Sequence, residues 1–271
     1  MPSSDLERPP APPLDAALAR LYDLDLSEAP GDVELYVALA QRTGGPILEL
    51  AAGTGRIAVP LAEAGHRVVG VDIDEAMLSR ARTRIEAAGV GDRIDLVVAN
   101  MQDAASNEAV ARGGPYQLAI LALQSILILT TPEGQRAVVG EMARALAPGG
   151  LAVIDTWLPT PADLVGFDGR VSFEWRRTDP GTGYDVTKTL AAWYDHVRRL
   201  VTLTTFFDEG APGEAPIRWI REDSLRLIGV DELVGFARDA GLEVDRLAGD
   251  HDLGPLEPGS DRVVLVARKP R

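Results

Sequence analysis

Residues Ile47 to Arg56 read I-L-E-L-A-A-G-T-G-R, and after a helix-like stretch the chain runs V-V-G-V-D-I-D to Asp74. A buried apolar strand that ends in a tight turn with two glycines describes a nucleotide cradle. Gly53 and Gly55 let the backbone approach a ligand and take dihedrals that a Cβ forbids. A helix starting at Arg56 or Ile57 follows, and the next strand, 67–71, ends at Asp72. That spacing puts a carboxylate at the carboxyl edge of the neighbouring strand, where a ribose presents its two hydroxyls.

The turn is ambiguous in one specific way. Gly53-Thr54-Gly55-Arg56-Ile57-Ala58 also satisfies G-x-G-x-x-A, the dinucleotide fingerprint that holds a pyrophosphate on a helix N-terminus, so a NAD(P)-dependent oxidoreductase is carried as a rival. Three details favour S-adenosylmethionine. Glu49 lies inside the strand, where a carboxylate suits a ligand with a cationic amino group. Pro148-Gly149-Gly150 precedes the apolar strand 151–154. Acids open a helix in Asp72-Ile73-Asp74-Glu75-Ala76-Met77-Leu78, with Met77 one turn in.

On these residues the chain resembles class I S-adenosylmethionine-dependent methyltransferases, over about residues 22–269. The resemblance implies S-adenosyl-L-methionine as cofactor and a role for each matching residue. Glu49 orients the turn or the amino group, Ala51, Gly53 and Gly55 line the cofactor, Asp72 binds the ribose, and Ile73 and Met77 sandwich the adenine. Where the family commonly has an acid near the end of the third strand, this chain has Ala99-Asn100-Met101-Gln102. Asn100 departs from that acid, yet an amide oxygen accepts the same hydrogen bond. Met101 and Leu123 complete the expected cofactor contacts.

Composition bounds the partners. At 271 residues with 46% hydrophobic content, the chain is sized for one α/β domain with a good core and one elaboration. A net charge of -14 argues against a surface that neutralises many phosphates, which disfavours tRNA, rRNA and DNA substrates and leaves small molecules. The chain has no cysteine, which excludes disulfide, thiolate-zinc and cysteine-nucleophile chemistry. No run of about 18 apolar residues occurs and residues 1–13 lack the apolar core of a signal peptide, so a cytoplasmic location is expected.

Residues 2–13 hold five prolines and predict a mobile arm. Short amphipathic helices are predicted over 14–22 and 32–42, with Gly44-Gly45-Pro46 as the breaker before the first strand. The pattern then alternates: strand 47–50, helix 57–64, strand 67–71, helix 75–88, strand 94–98, strand 117–123, helix 132–146 and the fifth strand. Alternation of this kind implies a parallel sheet with helices on both faces. Helix 230–240 and strands 242–247 and 262–268 resemble the closing hairpin of the methyltransferase family, in which the last strand is reversed. The expected fold is α/β, a doubly wound Rossmann-like seven-stranded sheet with a reversed last strand.

Residues 160–228 break the alternation. They carry nine of the fourteen aromatic residues, in period-two runs such as Val171, Phe173, Trp175 and Val201, Leu203, Thr205, Phe207. Gly/Pro-rich turns separate the runs, which signals an antiparallel meander. The expected domains are therefore an arm, 1–13, a cofactor-binding domain, 14–159 with 229–271, and a small antiparallel β lobe, 160–228, inserted after the fifth strand. An insertion there emerges on the carboxyl edge of the sheet, where open α/β folds bind ligands, and is expected to roof a substrate pocket.

Methyl transfer from a sulfonium is an in-line displacement, so the protein contributes proximity, alignment and exclusion of water. An amine acceptor needs only to bind unprotonated, whereas a hydroxyl needs a proton acceptor near the operating pH. Of the three histidines, His196 in W-Y-D-H is the base candidate, ahead of His66 and His251. Tyr22 and Tyr36 lie in the N-terminal helices, which in similar enzymes fold over the cofactor, and each is a candidate contact for it; Tyr22 is also a candidate at the reacting centre. Arg56 is a candidate for the methionine carboxylate. Gln124, Ser125, Trp157, Trp193, Trp219 and Arg221 are the candidate substrate residues, with packing as the competing role for the aromatics. Asp155 ends the fifth strand without a partner cluster, so no metal is expected.

The sequence thus reads as a methyltransferase acting on a small polar metabolite, with an amine preferred over a hydroxyl. A protein using the cofactor for a non-methyl displacement is the other alternative beside the oxidoreductase. The expected partner is a small-molecule substrate, with no nucleic acid and no membrane; a homodimer is the candidate assembly.

Overall fold

Seven strands form one sheet in the order β10-β11-β5-β4-β1-β2-β3, in the computed structural model, which describes residues 12–28, 31–211 and 213–271. The central strand β1 (Ile47–Leu50) is buried at every position, as a parallel strand covered on both faces requires. It pairs in parallel with β2 (Val68–Asp72) and β4 (Tyr116–Leu121). β3 (Ile94–Val98) and β5 (Leu146–Trp157) extend the parallel set on either side. β11 (Arg262–Arg268) runs antiparallel to β5 and to β10 (Glu243–Ala248), which is the reversed last strand.

Helices cover both faces. α2 (Val33–Thr43) and α3 (Ala58–Glu63) bury Tyr36, Leu39, Ala58 and Leu61 on one face with Ile47, Ile120 and Val153. α6 (Pro132–Ala145) and α8 (Val230–Asp239) bury Val138, Met142, Leu233 and Phe236 on the other. α4 (Glu75–Ala88) starts on Asp74, whose carboxylate accepts the N–H groups of Ala76 and Met77, and stops at Gly89 with φ 68°. The short helices α5 (Glu108–Gly113) and α7 (Pro161–Gly166) and two 3-10 helices, Met101–Ser106 and Ser125–Ile128, are additions to the sequence reading.

Two boundaries differ from expectation. β5 starts at Leu146, so Pro148-Gly149-Gly150 lies within it; there Gly149 donates to Lys269 O and Lys269 N–H to Gly150 O, and the turn-forming residues become part of the ladder. β4 ends at Leu121, two residues early, because Leu123 and Gln124 both take left-handed dihedrals (φ 47° and 65°). The arm expected over 1–13 falls outside the described residues up to residue 11.

The lobe is a four-stranded antiparallel meander of β6 (Asp168–Thr178), β7 (Asp185–Asp195), β8 (Leu200–Gly210) and β9 (Ile217–Arg226). Cross-strand register decides what its inner face does. At one end Val186, Phe207 and Trp219 pack on Ala17, Leu21 and Leu24 of α1 (Leu14–Asp25), forming a cluster separate from the main core. At the other end Ala192, Val201 and Leu225 join the main core. The rows between them are mixed: Lys188 faces Phe207, Leu190 faces Thr205, Thr205 faces Arg221, and Leu203 faces Asp223. A sheet that docks through apolar ends leaves this polar band over a gap.

Candidate active site

Three cavities run along the carboxyl edge of the sheet and share residues. One, of about 250 Å³, lies between the ends of β2 and β3 and is lined by Val71, Asp72, Ile73, Asn100, Met101 and Leu129, with Ala51 at its inner end. A narrow one, about 20 Å³, continues from Ala51 past Glu49, Thr54, Arg56 and Ser125. The third, about 250 Å³, lies under the polar band of the lobe and includes Gln124, Lys188, Thr205, Arg221 and Asp223. Tyr22 and Leu123 line both the second and the third. Another cavity, about 430 Å³, opens at the opposite edge around Pro46, His66, Arg67 and Arg112 and contains none of the residues expected to bind cofactor.

The glycine turn is built by backbone conformation. Gly53 and Gly55 take φ 54° and 75°, and a Cβ on Gly55 would stand 3.3 Å from Ala81 Cβ. Ala51, at φ 55°, bears a side chain in the same left-handed region, and strained non-glycine residues of this kind gather at functional sites. Asp72 Oδ2 accepts the Gly53 N–H at 2.8 Å and Oδ1 the Asp74 N–H at 2.9 Å, so this carboxylate fixes the turn from the neighbouring strand. Burial raises its pKa. Met77 Cε lies 3.5 Å from where a Gly53 Cβ would be, and Ile73 is 69% exposed at the mouth. Asn100 Oδ1 accepts the Gln102 N–H at 2.9 Å, which leaves one lone pair of its amide oxygen.

The inner end is polar and buried. Glu49 is 3% exposed, and its Oε2 has no partner among the described residues; neither has the hydroxyl of Tyr36. Arg56 is held in a two-pronged pair by the buried Asp32, both contacts at 2.7 Å, so its charge is already matched. Burial pushes the Glu49 carboxyl up to about 8, and the Arg56 charge only partly opposes it. A buried acceptor and a buried hydroxyl left open at the end of a glycine cradle fit the ammonium and carboxylate of a bound S-adenosylmethionine. Burying either group without a partner is costly.

A pH dependence follows. In the free protein Glu49 binds a proton that the unfolded chain releases in the ordinary carboxylate range, so its stabilising contribution is full below that range and is lost as pH rises towards 8. A cationic ligand group favours the carboxylate, so binding of S-adenosylhomocysteine at pH 7 should release a proton and strengthen about fivefold between pH 7 and 8. Calorimetry in buffers of different ionisation enthalpy measures both. Glu49→Gln should abolish the release, and a release unchanged in that variant would assign it to another group.

Of the expected catalytic and substrate residues, Tyr22, Gln124, Ser125 and Arg221 come together around the second and third cavities. The others do not. His196 is exposed in the turn between β7 and β8. Trp193 is 55% exposed on the outer face, since its parity along β7 is opposite to that of Lys188 and Leu190. Trp219 is buried against α1, and Trp157 packs on Phe167 with ring centroids 5.8 Å apart. Asp25, Lys188, Thr205 and Asp223 were missed by the sequence reading, although the period-two runs carry their signal once one inward residue is known. Asp155 accepts from His251 at 3.0 Å, a bond that raises the His251 pKa, and from Arg262 at 3.4 Å. Among the described residues no group of three or more His, Asp or Glu is placed to hold a metal ion.

Comparison with known proteins agrees with this geometry. Residues 47–150 match the family model described as Methyltransferase domain. Along 265 residues the chain is 25% identical to the cypemycin N-terminal methyltransferase of Streptomyces sp, covering 94% of this chain and 97% of that protein. The CcbJ methyltransferase of Streptomyces caelestis superimposes with a TM-score of 0.75 at 22% identity, over 92% of this chain and 96% of that one. The sugar N-methyltransferase KedS8 of Streptoalloteichus sp ATCC 53650 does so with a TM-score of 0.69 at 20% identity, over 92% and 93%. The fold is that of class I S-adenosylmethionine-dependent methyltransferases, with an antiparallel lobe inserted after the fifth strand. The family match covers residues 47–150, from β1 into β5, and the fold around them is the one these methyltransferases share.

Proposed function

We propose that this chain transfers the methyl group of S-adenosylmethionine to an amine of a small polar metabolite. One observation carries the reading: Tyr22 and Leu123 are shared by the cavity that ends the cofactor cradle and the cavity under the polar band of the lobe. Donor and acceptor then meet at Tyr22. When bound, S-adenosylmethionine supplies an electrophilic methyl group on a sulfonium. The chain aligns the acceptor with it and excludes water. Burial raises the Tyr22 pKa above its ordinary value, so the hydroxyl stays protonated at neutral pH and serves as a hydrogen-bond partner that orients the acceptor nitrogen. Glu49 and Tyr36 hold the amino-acid end of the cofactor, and Asp72 the ribose.

An amine is favoured because no histidine reaches the Tyr22 junction, and because a neutral amine requires no base there. The N-terminal and sugar N-methyltransferases among the similar proteins act on amines by their names. The cavity under the polar band is lined by Asp25, Lys188, Arg221 and Asp223, two charges of each sign, which suits a hydroxylated or zwitterionic acceptor better than a polyanion. The net charge of -14 disfavours a nucleic-acid partner. No described helix is long and apolar enough to cross a membrane. We infer a cytoplasmic location for the protein.

The test is mass-spectrometric detection of methyl addition to matched acceptors, amino sugars and peptide N-termini against the same compounds with a hydroxyl. Methylation confined to the hydroxyl series would overturn the amine assignment. Tyr22→Phe should lower kcat about 3- to 10-fold, the value of one hydrogen bond, with S-adenosylhomocysteine affinity unchanged.

A further inference from the structure

Helix α1 is hydrogen-bonded to the cofactor turn through Asp23 and to the lobe through its neighbours. Asp23 Oδ1 accepts from Thr54 Oγ1 at 2.6 Å and from Arg84 Nη2 at 3.0 Å, and Oδ2 accepts from Arg80 Nε at 2.7 Å. Arg84 Nη1 also donates to Thr54 O at 3.0 Å. Thr54 stands between Gly53 and Gly55 and is 1% exposed, so this network ends on the cradle itself. Two residues on, Asp25 accepts from Trp175 Nε1 at 2.8 Å and Lys188 Nζ at 2.7 Å, both from the lobe. Arg177 of β6 donates to the carbonyls of Leu24 and Asp25, and Arg20 pairs with Asp179 and Glu209.

The apolar face of α1 packs on the lobe and not on the main core. α1 and the lobe's near end thus share one apolar cluster, while Asp23 ties the same helix to α4 and to the cradle turn. Tyr22 directly precedes Asp23 on this helix and lines both cavities. We propose that Asp23 is a positioning residue: through it a filled cradle fixes α1, sets the Tyr22 hydroxyl at the junction and closes the lobe over the acceptor. Cofactor binding and closure of the acceptor pocket are then coupled, with the cofactor first. The proposal rests on the assignment of the cradle to S-adenosylmethionine.

Coupling of this kind has a typical size, a factor of about 5–150. It requires one element with two arrangements that both sites bias. The experiment is hydrogen exchange of the full chain with saturating S-adenosylhomocysteine, followed over the cradle peptides, 47–56, and the lobe peptides, 168–195. In the unmodified protein exchange should slow in both. In Asp23→Ala, and in Thr54→Val, which removes the contact from the other side, the cradle should still be protected while the lobe's protection falls by about that factor. Saturation by the ligand shows that each variant is folded. A merely structural role for Asp23 predicts equal loosening with and without ligand.

Three outcomes overturn the proposal: lobe protection that persists in both variants, lobe protection absent in the unmodified protein while the cradle is protected, or equal loosening in both states. Protection nowhere in the unmodified protein would also remove the cofactor assignment beneath it, and so is told apart from failure of the coupling.

Discussion

Alanine at position 72 is expected to weaken S-adenosylhomocysteine binding by about 10²- to 10⁴-fold while the protein stays folded. Asp72 sits at the end of β2 with both carboxylate oxygens turned to backbone N–H groups, Gly53 and Asp74, and with lone pairs left over. Two ribose hydroxyls donating to it form hydrogen bonds to a charged acceptor, each about 1.5–3 kcal/mol. Together they amount to about 3–6 kcal/mol, and every 1.4 kcal/mol is about tenfold in affinity. The same substitution also frees the Gly53 N–H, so the turn loses the contact that holds it in register. Asp74→Ala should behave differently. Its carboxylate caps α4 through Ala76 and Met77, so the loss is about 1 kcal/mol of stability, read as a lower Tm, with affinity changed no more than about threefold. Calorimetry and thermal denaturation on both variants separate the two roles. Equal losses of affinity would mean that the ribose is not held at the end of β2.

The cradle was legible because its determinants are local. Gly53, Gly55 and Asp72 lie on either side of one helix, and each is required by backbone geometry or by the position of a strand end. The lobe was legible as period-two patterning. Its inward face was not, because pairing shifts between Asp168 and Val171 and between Phe173 and Trp175 reset the parity of β6, and the docking of α1 decides what is buried. Trp193, Trp219 and His196 were chosen by residue type. Parity put Trp193 on the outer face, α1 covered Trp219, and the hairpin turn carried His196 away. The early end of β4 left no mark, since nothing in Leu123-Gln124 favours left-handed dihedrals; tertiary context imposes them. Asp23 was silent for another reason. Its partners lie 31, 57 and 61 residues away, and only the folded chain brings them together.

The lobe's part in acceptor choice is tested by side chains, because replacing the whole lobe would strip Ala192, Val201 and Leu225 from the main core and Val186, Phe207 and Trp219 from α1. Arg221 and Asp223 are the sharpest targets. They stand two apart on β9, facing inward between apolar Trp219 and Leu225, and are paired through Arg221 Nε and Nη2 to Asp223 Oδ1 at 3.0 and 2.9 Å. At inward positions that would otherwise be apolar, a charged pair is retained at a cost in burial. Facing the third cavity, it is placed to exchange its mutual contacts for the polar groups of an acceptor. Asp223→Ala should therefore lower kcat/KM by about 10- to 150-fold, the value of one hydrogen bond to a charged group, with affinity for S-adenosylhomocysteine within about twofold. Arg221→Ala should fall in the same range, and the double variant should lose less than the product of the two, because each single change already strands its partner. Trp193→Ala, on the outer face, should leave both constants unchanged. Full activity in Asp223→Ala together with a loss in Trp193→Ala would show that the acceptor approaches the lobe from its other side.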